Sequence, residues 1–150
     1  KLGVDDLPLS LKLSDEYVAQ SPKKSGLMPD AIEVLEYLFP RYPMTIITNG
    51  FEEVQYTKLN SSGLTPYFKN VVTSARAGFK KPSKEIFEFA LAEGGFDKHE
   101  AVMIGDNLLT DIGGAHNASL DTIFFNPTKI KHEANPKYEI HELKQLMDIL

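Results

Sequence analysis

The sequence predicts an α/β fold, a doubly wound, Rossmann-like parallel sheet with helices on both faces. Four short apolar segments, most of them rich in β-branched residues, are separated by segments with helical periodicity. A glycine or a proline closely follows each apolar segment and indicates a turn there. Apolar strands that alternate with helices form parallel βαβ units, in which both faces of the sheet are covered. A chain of 150 residues has the size of one domain.

The N-terminal part of the chain alternates helix and strand. Apolar residues four positions apart predict the helix Leu7–Gln20, and an apolar stripe ended by a proline predicts the helix Pro29–Phe39. The apolar run Met44–Thr48 predicts a strand, and an Asn-Gly pair after it indicates a turn. The helix Glu52–Ser62 begins with two acidic residues, which the helix dipole favours at this end, and a glycine follows it.

The C-terminal part repeats the alternation. Its strands are short runs of apolar or β-branched residues, one helix ends at a pair of glycines, and the last helix carries leucines and a methionine on one side. The predicted elements are strand Asn70–Ser74, helix Ser83–Glu93, strand Ala101–Ile104, helix Asp111–Ser119, strand Thr122–Phe125, a loop from Asn126 to Tyr138 and helix His141–Leu150.

Composition and charge exclude several classes of protein. The net charge of −5 argues against a nucleic-acid partner. The absence of cysteine excludes disulfide bonds and thiol catalysis. No apolar run is long enough to span a membrane, and no signal peptide is visible. We therefore expect a cytoplasmic protein that binds neither nucleic acid nor membrane.

Polar residues follow three of the four predicted strands. Thr48 ends the first strand and Asn49 follows it, Lys81 lies in the loop after the second, and Asp106 follows the third, with Asp111 five residues further on. The carboxyl ends of parallel strands meet at one edge of the sheet, so we expect these side chains to converge. Backbone N–H groups and a lysine suit a phosphate, and two carboxylates suit Mg²⁺.

Each of these residues also has a structural interpretation. Thr48 fits a cap of the following helix, Lys81 fits an exposed loop lysine next to Lys80, and Asp111 fits the N-cap of a helix. The order Thr, Lys, Gly-Asp across successive strand ends is more specific than any single residue. Asp106 stands out, because it directly follows a strand and a glycine.

That order resembles the haloacid dehalogenase superfamily of phosphohydrolases. The second, third and fourth motifs of that family are similar to Ile46-Ile47-Thr48-Asn49-Gly50, to Lys80-Lys81-Pro82-Ser83-Lys84-Glu85-Ile86-Phe87 and to Gly105-Asp106-Asn107-Leu108-Leu109-Thr110-Asp111. The resemblance covers about residues 27–150, and residues 1–26 resemble the C-terminal remnant of a helical cap domain. Residues 24–29 and 48–51 are most similar to the pyrimidine 5′-nucleotidase-like branch.

The resemblance implies a role for each site residue. Asp106 would ligate Mg²⁺, and Asp111 would support the metal or orient Lys81. Lys81 would stabilise the charge of the nucleophile and of the phosphate, while Thr48 and the Asn49 amide would bind phosphoryl oxygens. The substrate implied is a small phosphorylated metabolite, with a nucleoside 5′-monophosphate as one candidate.

One departure from the family pattern is large. The first motif of the family, Asp-x-Asp at the end of its first strand, supplies the nucleophile and the general acid-base, and no Asp-x-Asp occurs in this sequence. We therefore expect a C-terminal fragment that pairs with the N-terminal remainder of its protein and is inactive alone. The expected strand order is 122–125, 101–104, a gap, 45–48 and 71–74.

Two alternatives stay open at this stage. A module that binds metal or phosphate without catalysis, or only packs against a partner, would also lack the first motif. A metal-independent 2-haloacid dehalogenase shares the fold, but in those relatives Ser-Asn-type residues replace the Gly-Asp pair that is present here as Gly105-Asp106.

Overall fold

The computed structural model describes residues 7–20 and 26–150. The predicted cap remnant, residues 1–26, lies partly outside the described residues, and so does the start of the loop that follows the first helix. The described part of that remnant is a helix with exposed leucines, which include Leu7 and Leu11. Its assignment to a cap domain stays a prediction.

The predicted helices and strands are present in the predicted chain order, with the short α4 and β5 in addition. Most boundaries agree with the predicted ones to within two residues. In chain order the elements are α1 (Leu7–Gln20), α2 (Ala31–Leu38), β1 (Met44–Thr48), α3 (Glu52–Ser61), β2 (Phe68–Thr73), α4 (Ser74–Ala77), α5 (Lys84–Gly94), β3 (Val102–Gly105), α6 (Gly114–Asn117), β4 (Asp121–Phe125), β5 (Tyr138–Ile140) and α7 (Leu146–Ile149).

The strands form two parallel groups rather than one continuous sheet. In the first group β1 pairs with β2, and in the second β3 pairs with β4, which in turn pairs with β5. Within residues 7–20 and 26–150, no strand pairs with the remaining edge of β1 or of β3. The pairings β1–β2 and β3–β4 are the predicted ones, and β5 extends the second group beyond β4, which the prediction did not include.

Helices cover both faces of the sheet, which confirms the doubly wound α/β architecture. The residues of β3 alternate between two apolar clusters: Met103 packs with α5 and α6, whereas Val102 and Ile104 pack with α2 and α7. Side chains on a strand point to opposite faces in turn, so the two clusters lie on opposite sides of the sheet. None of the helices in the described part of the chain is long and apolar enough to cross a membrane.

The strands that border the gap are less buried than their outer neighbours. Val72 in β2 and Ile123 in β4 have no exposed surface. Every residue of β1 and of β3 is only half-buried. The centre of a parallel sheet is normally its most buried part, because helices cover it on both faces. Here it is partly open.

Two predicted segments differ from the structure. The predicted helix Asp111–Ser119 begins three residues earlier as a π-helical turn, Leu108–Gly113, and continues as the short α6. The predicted C-terminal helix from His141 is shorter, since a 3₁₀ turn, Leu143–Gln145, precedes α7. Side-chain caps move both boundaries: Asn107 accepts from the N–H groups of the first turn, and Glu142 and Gln145 form a capping box.

The strand β5 was not predicted, because the predicted loop ends at Tyr138 and no element was assigned to Glu139 and Ile140. It has three residues, of which only Ile140 is buried. Its position depends on Asn126, whose backbone N–H donates to the carbonyl of Ile140 at 2.7 Å. The Asn126 side chain also bonds both the N–H and the carbonyl of Ile130. One buried asparagine thus organises the return of the chain to the sheet.

Candidate active site

The gap between β1 and β3 opens into a cavity of about 750 Å³. Strand residues such as Ile46 and Ile104 line its walls, together with apolar side chains from α2, α5 and α7. Lys81, Asp106 and Asp111 line the same cavity and are its charged groups near the carboxyl ends of the strands. The cavity is therefore apolar along the strands and polar at the edge where the site residues were predicted.

Lys81 and Asp111 form a buried ion pair. The Lys81 Nζ lies 2.7 Å from Asp111 Oδ1, and the two side chains are 12% and 6% exposed. The second oxygen of Asp111 accepts from the backbone N–H of Asn107 at 3.1 Å, and the Thr110 hydroxyl lies 3.3 Å from Oδ1. Both carboxylate oxygens are thus engaged, and the Lys81 ammonium is fixed in direction.

Gly105 allows this carboxylate to pack against the end of β3. A Cβ atom built at Gly105 would lie 2.4 Å from the Cβ of Asp111 and 2.6 Å from its Oδ2. Real Cβ contacts are longer than this, so any larger residue would displace Asp111. The glycine before Asp106 therefore has a packing reason in addition to its place in the motif.

Thr48 and Asn49 form the turn after β1. The Thr48 Oγ1 accepts a hydrogen bond from the Gly50 N–H at 3.0 Å, so its own hydroxyl hydrogen is available to a ligand. The Asn49 side chain bonds the backbone of Lys81 twice: Oδ1 accepts from the Lys81 N–H at 2.8 Å, and Nδ2 donates to the Lys81 carbonyl at 3.0 Å. This arrangement connects the end of β1 to the loop that carries Lys81.

Asp106 directly follows β3. It is exposed and lines the cavity. Of the two carboxylates, Asp106 is the more accessible to a cation, because the Asp111 side chain is 6% exposed and its Oδ1 is paired with Lys81. The described residues contain no group of three or more His, Cys, Asp or Glu side chains that could hold a metal ion. Mg²⁺ often uses one or two protein carboxylates and completes its shell with water and phosphate oxygens. Asp106 fits one such position.

The structure thus brings the predicted residues to one edge. Lys81, Asp106 and Asp111 share a cavity, and Thr48 is connected to them through the neighbouring Asn49. Two contributors were not predicted, Asn107 and the packing role of Gly105. The Asn107 side chain accepts from two backbone N–H groups at 2.9 and 3.0 Å, an N-cap pattern that the sequence carries as Asn before a helical turn.

Comparison with known proteins gives a consistent result. The family described as haloacid dehalogenase-like hydrolase matches residues 6–125. YfnB of Bacillus subtilis (strain 168), described as a HAD-hydrolase, is 37% identical over 127 residues, which are 83% of this chain and 54% of YfnB. The pyrimidine 5′-nucleotidase PynA of Streptococcus pneumoniae (strain ATCC BAA-255 / R6) is 34% identical over 142 residues, 92% of this chain and 60% of PynA.

Solved structures show the same similarity. The crystal structure of YfnB bound to magnesium superposes with a TM-score of 0.88 and covers 93% of this chain and 62% of that one. A 2-haloacid dehalogenase from Pseudomonas syringae pv. Tomato DC3000 superposes with a TM-score of 0.75 at 31% identity, and covers 83% of this chain and 53% of that one. The chain spans between half and two thirds of the length of these proteins.

Proposed function

The chain belongs to the haloacid dehalogenase-like hydrolases, and from this premise we propose that it is the phosphate- and metal-binding part of a Mg²⁺-dependent phosphohydrolase. The observation that supports this proposal best is the buried Lys81–Asp111 pair at 2.7 Å, beside the exposed Asp106. Lys81 offers a fixed positive charge, and the hydroxyl of Thr48 offers a donor. Together they suit the oxygens of a transferred phosphoryl group.

Each residue has one task in this proposal. Asp106 holds Mg²⁺, which when bound neutralises phosphoryl oxygens as charge moves during transfer. Asp111 orients Lys81 rather than ligating the metal directly, because its carboxylate is buried and its Oδ1 is paired with Lys81. Thr48 and the backbone N–H of Asn49 hold the phosphoryl group. The substrate class is a small phosphorylated metabolite, and the similarity to PynA favours a nucleoside 5′-monophosphate.

The nucleophile is the part that these residues do not supply. In phosphoryl transfer through a covalent intermediate, a carboxylate must attack phosphorus, and Asp111 is committed to Lys81. We place the entry of this group in the gap between β1 and β3, where no described strand pairs with either edge. A parallel strand in that gap would pair with both free edges, and its carboxyl end would lie beside Lys81 and Asp106. We propose that a strand outside these 150 residues carries the attacking carboxylate.

A complementation assay tests this proposal. The 150-residue chain is assayed with p-nitrophenyl phosphate and Mg²⁺, alone and with an apolar strand that ends in Asp-x-Asp, added as a peptide or fused ahead of Lys1. We expect no turnover by the chain alone, turnover with the Asp-x-Asp strand and none with a matched Asn-x-Asn strand. Turnover by the chain alone that is lost in Asp106→Asn would contradict the proposed division of tasks.

The similarity to a 2-haloacid dehalogenase keeps a second candidate function in view. The Gly105-Asp106 pair favours the phosphohydrolase, because a carboxylate at this position serves a cation, whereas dehalogenase relatives need no metal. Halide release from 2-chloropropionate by the complemented chain, unaffected by EDTA and without phosphatase activity, would favour the dehalogenase.

A further inference from the structure

The side chain of Asn49 is turned toward the backbone of Lys81. Its Oδ1 accepts from the Lys81 N–H and its Nδ2 donates to the Lys81 carbonyl, at 2.8 and 3.0 Å. A carboxamide has one acceptor oxygen and an NH₂ group, so it matches the two backbone groups of a residue as a neighbouring strand would. Thirty-two positions separate the two residues, and the contact therefore joins two distant segments.

Lys81 needs such a support because its own segment is irregular. It lies between α4 and α5, where a single turn bond from Ser83 N–H to the Lys80 carbonyl, at 2.8 Å, closes the chain around it. Lysine carries a flexible four-carbon stem. Its ammonium can reach Asp111 reproducibly only if the backbone from which the stem starts is fixed.

Asn49 provides a fixed reference for this backbone. It directly follows Thr48, the last residue of β1, which pairs in regular register with Thr73 of β2. At the other end of the lysine, Asp111 is fixed by Asn107 and by its packing on Gly105. Lys81 is therefore held by its main chain from β1 and by its ammonium from the end of β3, across the gap between the two strand groups.

We propose that Asn49 is a positioning residue, whose carboxamide sets the direction of the Lys81 ammonium. The side chain of Asn49 then acts through Lys81 and not as a phosphate ligand. The backbone N–H of Asn49 keeps its proposed role in binding the phosphate. The importance of this position for catalysis rests on the proposed function. The positioning itself is a property of the free chain and is measurable without substrate.

The experiment measures the Lys81 ammonium directly by ¹H–¹⁵N NMR of lysine side chains, with the signal assigned by its loss in Lys81→Met. In the unchanged chain, the bond to Asp111 is expected to slow hydrogen exchange of this ammonium. Asn49→Ala removes both backbone bonds, and we expect exchange at least about tenfold faster, the effect of roughly 1.4 kcal/mol from two modest hydrogen bonds. Asn49 is exposed, so its truncation leaves no buried cavity.

A matched control is available in α3. Asn60 is also exposed, and its Oδ1 accepts from the Thr65 hydroxyl at 2.6 Å. Asn60→Ala therefore removes a comparable side-chain bond without contact to Lys81, and ammonium exchange should stay unchanged. Equal exchange in Asn49→Ala and Asn60→Ala would overturn the proposal.

Asn49→Asp separates the two bonds and serves as a second variant if Asn49→Ala does not fold. The aspartate keeps an acceptor for the Lys81 N–H but places an oxygen against the Lys81 carbonyl, so we expect an intermediate exchange rate. An exchange rate in Asn49→Asp equal to that of the unchanged chain would count against the proposal. A chain whose Lys81 responds to Asn49 but which binds no inorganic phosphate would support the positioning role and contradict the proposed function.

Discussion

At the scale of single residues, the candidate site depends on a chain of contacts that fixes the position of the Lys81 ammonium. Gly105 leaves room for Asp111, Asp111 directs Lys81, and Asn49 holds the Lys81 backbone. The sequence indicates which residue types come together, because Thr48 ends the first strand and Lys81 and Asp106 come after the next two. It does not reveal that Asn49 contacts Lys81, since that contact depends on the path of an irregular loop with no periodicity.

Replacement of Asp111 by asparagine is expected to destabilise the fold strongly. The variant Asp111→Asn keeps the shape of the side chain but leaves the 12%-exposed Lys81 ammonium without a counter-ion. Removal of one partner of a buried pair costs about 3–5 kcal/mol. Urea unfolding followed by circular dichroism measures the change in the free energy of unfolding.

The double variant Asp111→Asn with Lys81→Met is the control for this effect. It removes both charges, and we expect it to recover most of the lost stability, since an apolar replacement of a buried pair is often neutral or stabilising. A double variant as unstable as Asp111→Asn alone would show that the carboxylate acts through Asn107 and Thr110 rather than through Lys81.

Replacement of Gly105 by alanine is expected to disturb the same carboxylate. The added Cβ would lie 2.4 Å from the Asp111 Cβ, so the strand end or the turn must move. Overpacking of this kind costs about 1–3 kcal/mol. Gly26→Ala is the matched control, because a Cβ at Gly26 meets no atom within 4 Å. Equal stability of the two variants in urea would mean that the Gly105–Asp111 contact relaxes without cost.

At the scale of secondary-structure elements, the sequence predicts those helices and strands that a periodic apolar pattern and flanking turn residues mark. The strand Met44–Thr48 and the helix Leu7–Gln20 have the predicted boundaries, since apolar patterns and flanking prolines or an Asn-Gly pair mark them. The segment after β4 was interpreted only as a loop. Its strand β5 is too short and too polar to show a pattern, and it is fixed by hydrogen bonds from Asn126 that no local signal announces.

The attachment of β5 is expected to depend on pH through Glu139. The hydrogen bond that Asn126 Nδ2 donates to Glu139 Oε1 at 2.7 Å, together with a weaker contribution from His132, holds the pKa of the Glu139 carboxyl below its ordinary value of 4.5. A carboxyl whose pKa is lower in the folded state stabilises the fold above its unfolded pKa. This contribution is lost as the pH falls through the folded pKa.

The variant Glu139→Gln isolates this effect from the other acids. Glutamine keeps an oxygen that can accept from Asn126 but does not titrate. Between pH 5 and 3 we expect the melting temperature of the unchanged chain to fall more steeply than that of Glu139→Gln. If the melting temperatures of the two chains fall in parallel across this range, the charge of Glu139 does not contribute to the stability of the fold.

At the scale of the whole molecule, the gap between β1 and β3 connects features that no single element explains. The central strands are half-buried, the cavity lies between them, and the polar residues gather at one end of it. The sequence already predicts this gap, because the resemblance places a strand with an Asp-x-Asp between two strands that are present. It predicts neither how the chain tolerates the gap nor what fills it, because both depend on packing over the whole sheet.

Backbone hydrogen exchange of the 150-residue chain tests whether the gap exists in solution. Successive residues of a parallel strand direct their N–H groups alternately to one neighbour and the other. Every second amide of β1 and β3 therefore faces the gap, and we expect these amides to exchange rapidly while their neighbours are protected. The strand β4 is an internal control, because it pairs with β3 on one side and β5 on the other, so its interior amides should all be protected.

Addition of the Asp-x-Asp strand should then slow the exchange of the backbone amides that face the gap. If a strand enters the gap, the rapidly exchanging amides of Met44–Thr48 and Val102–Gly105 gain protection, while the amides of β4 change little. The physical reason is that a strand in the gap replaces water as the partner of these N–H groups, and each new hydrogen bond contributes about 0.5–1.5 kcal/mol. Uniform protection of β1 and β3 in the chain alone would mean that the two strands pair directly in solution. The cavity would then be closed, and no strand would be needed to complete the sheet.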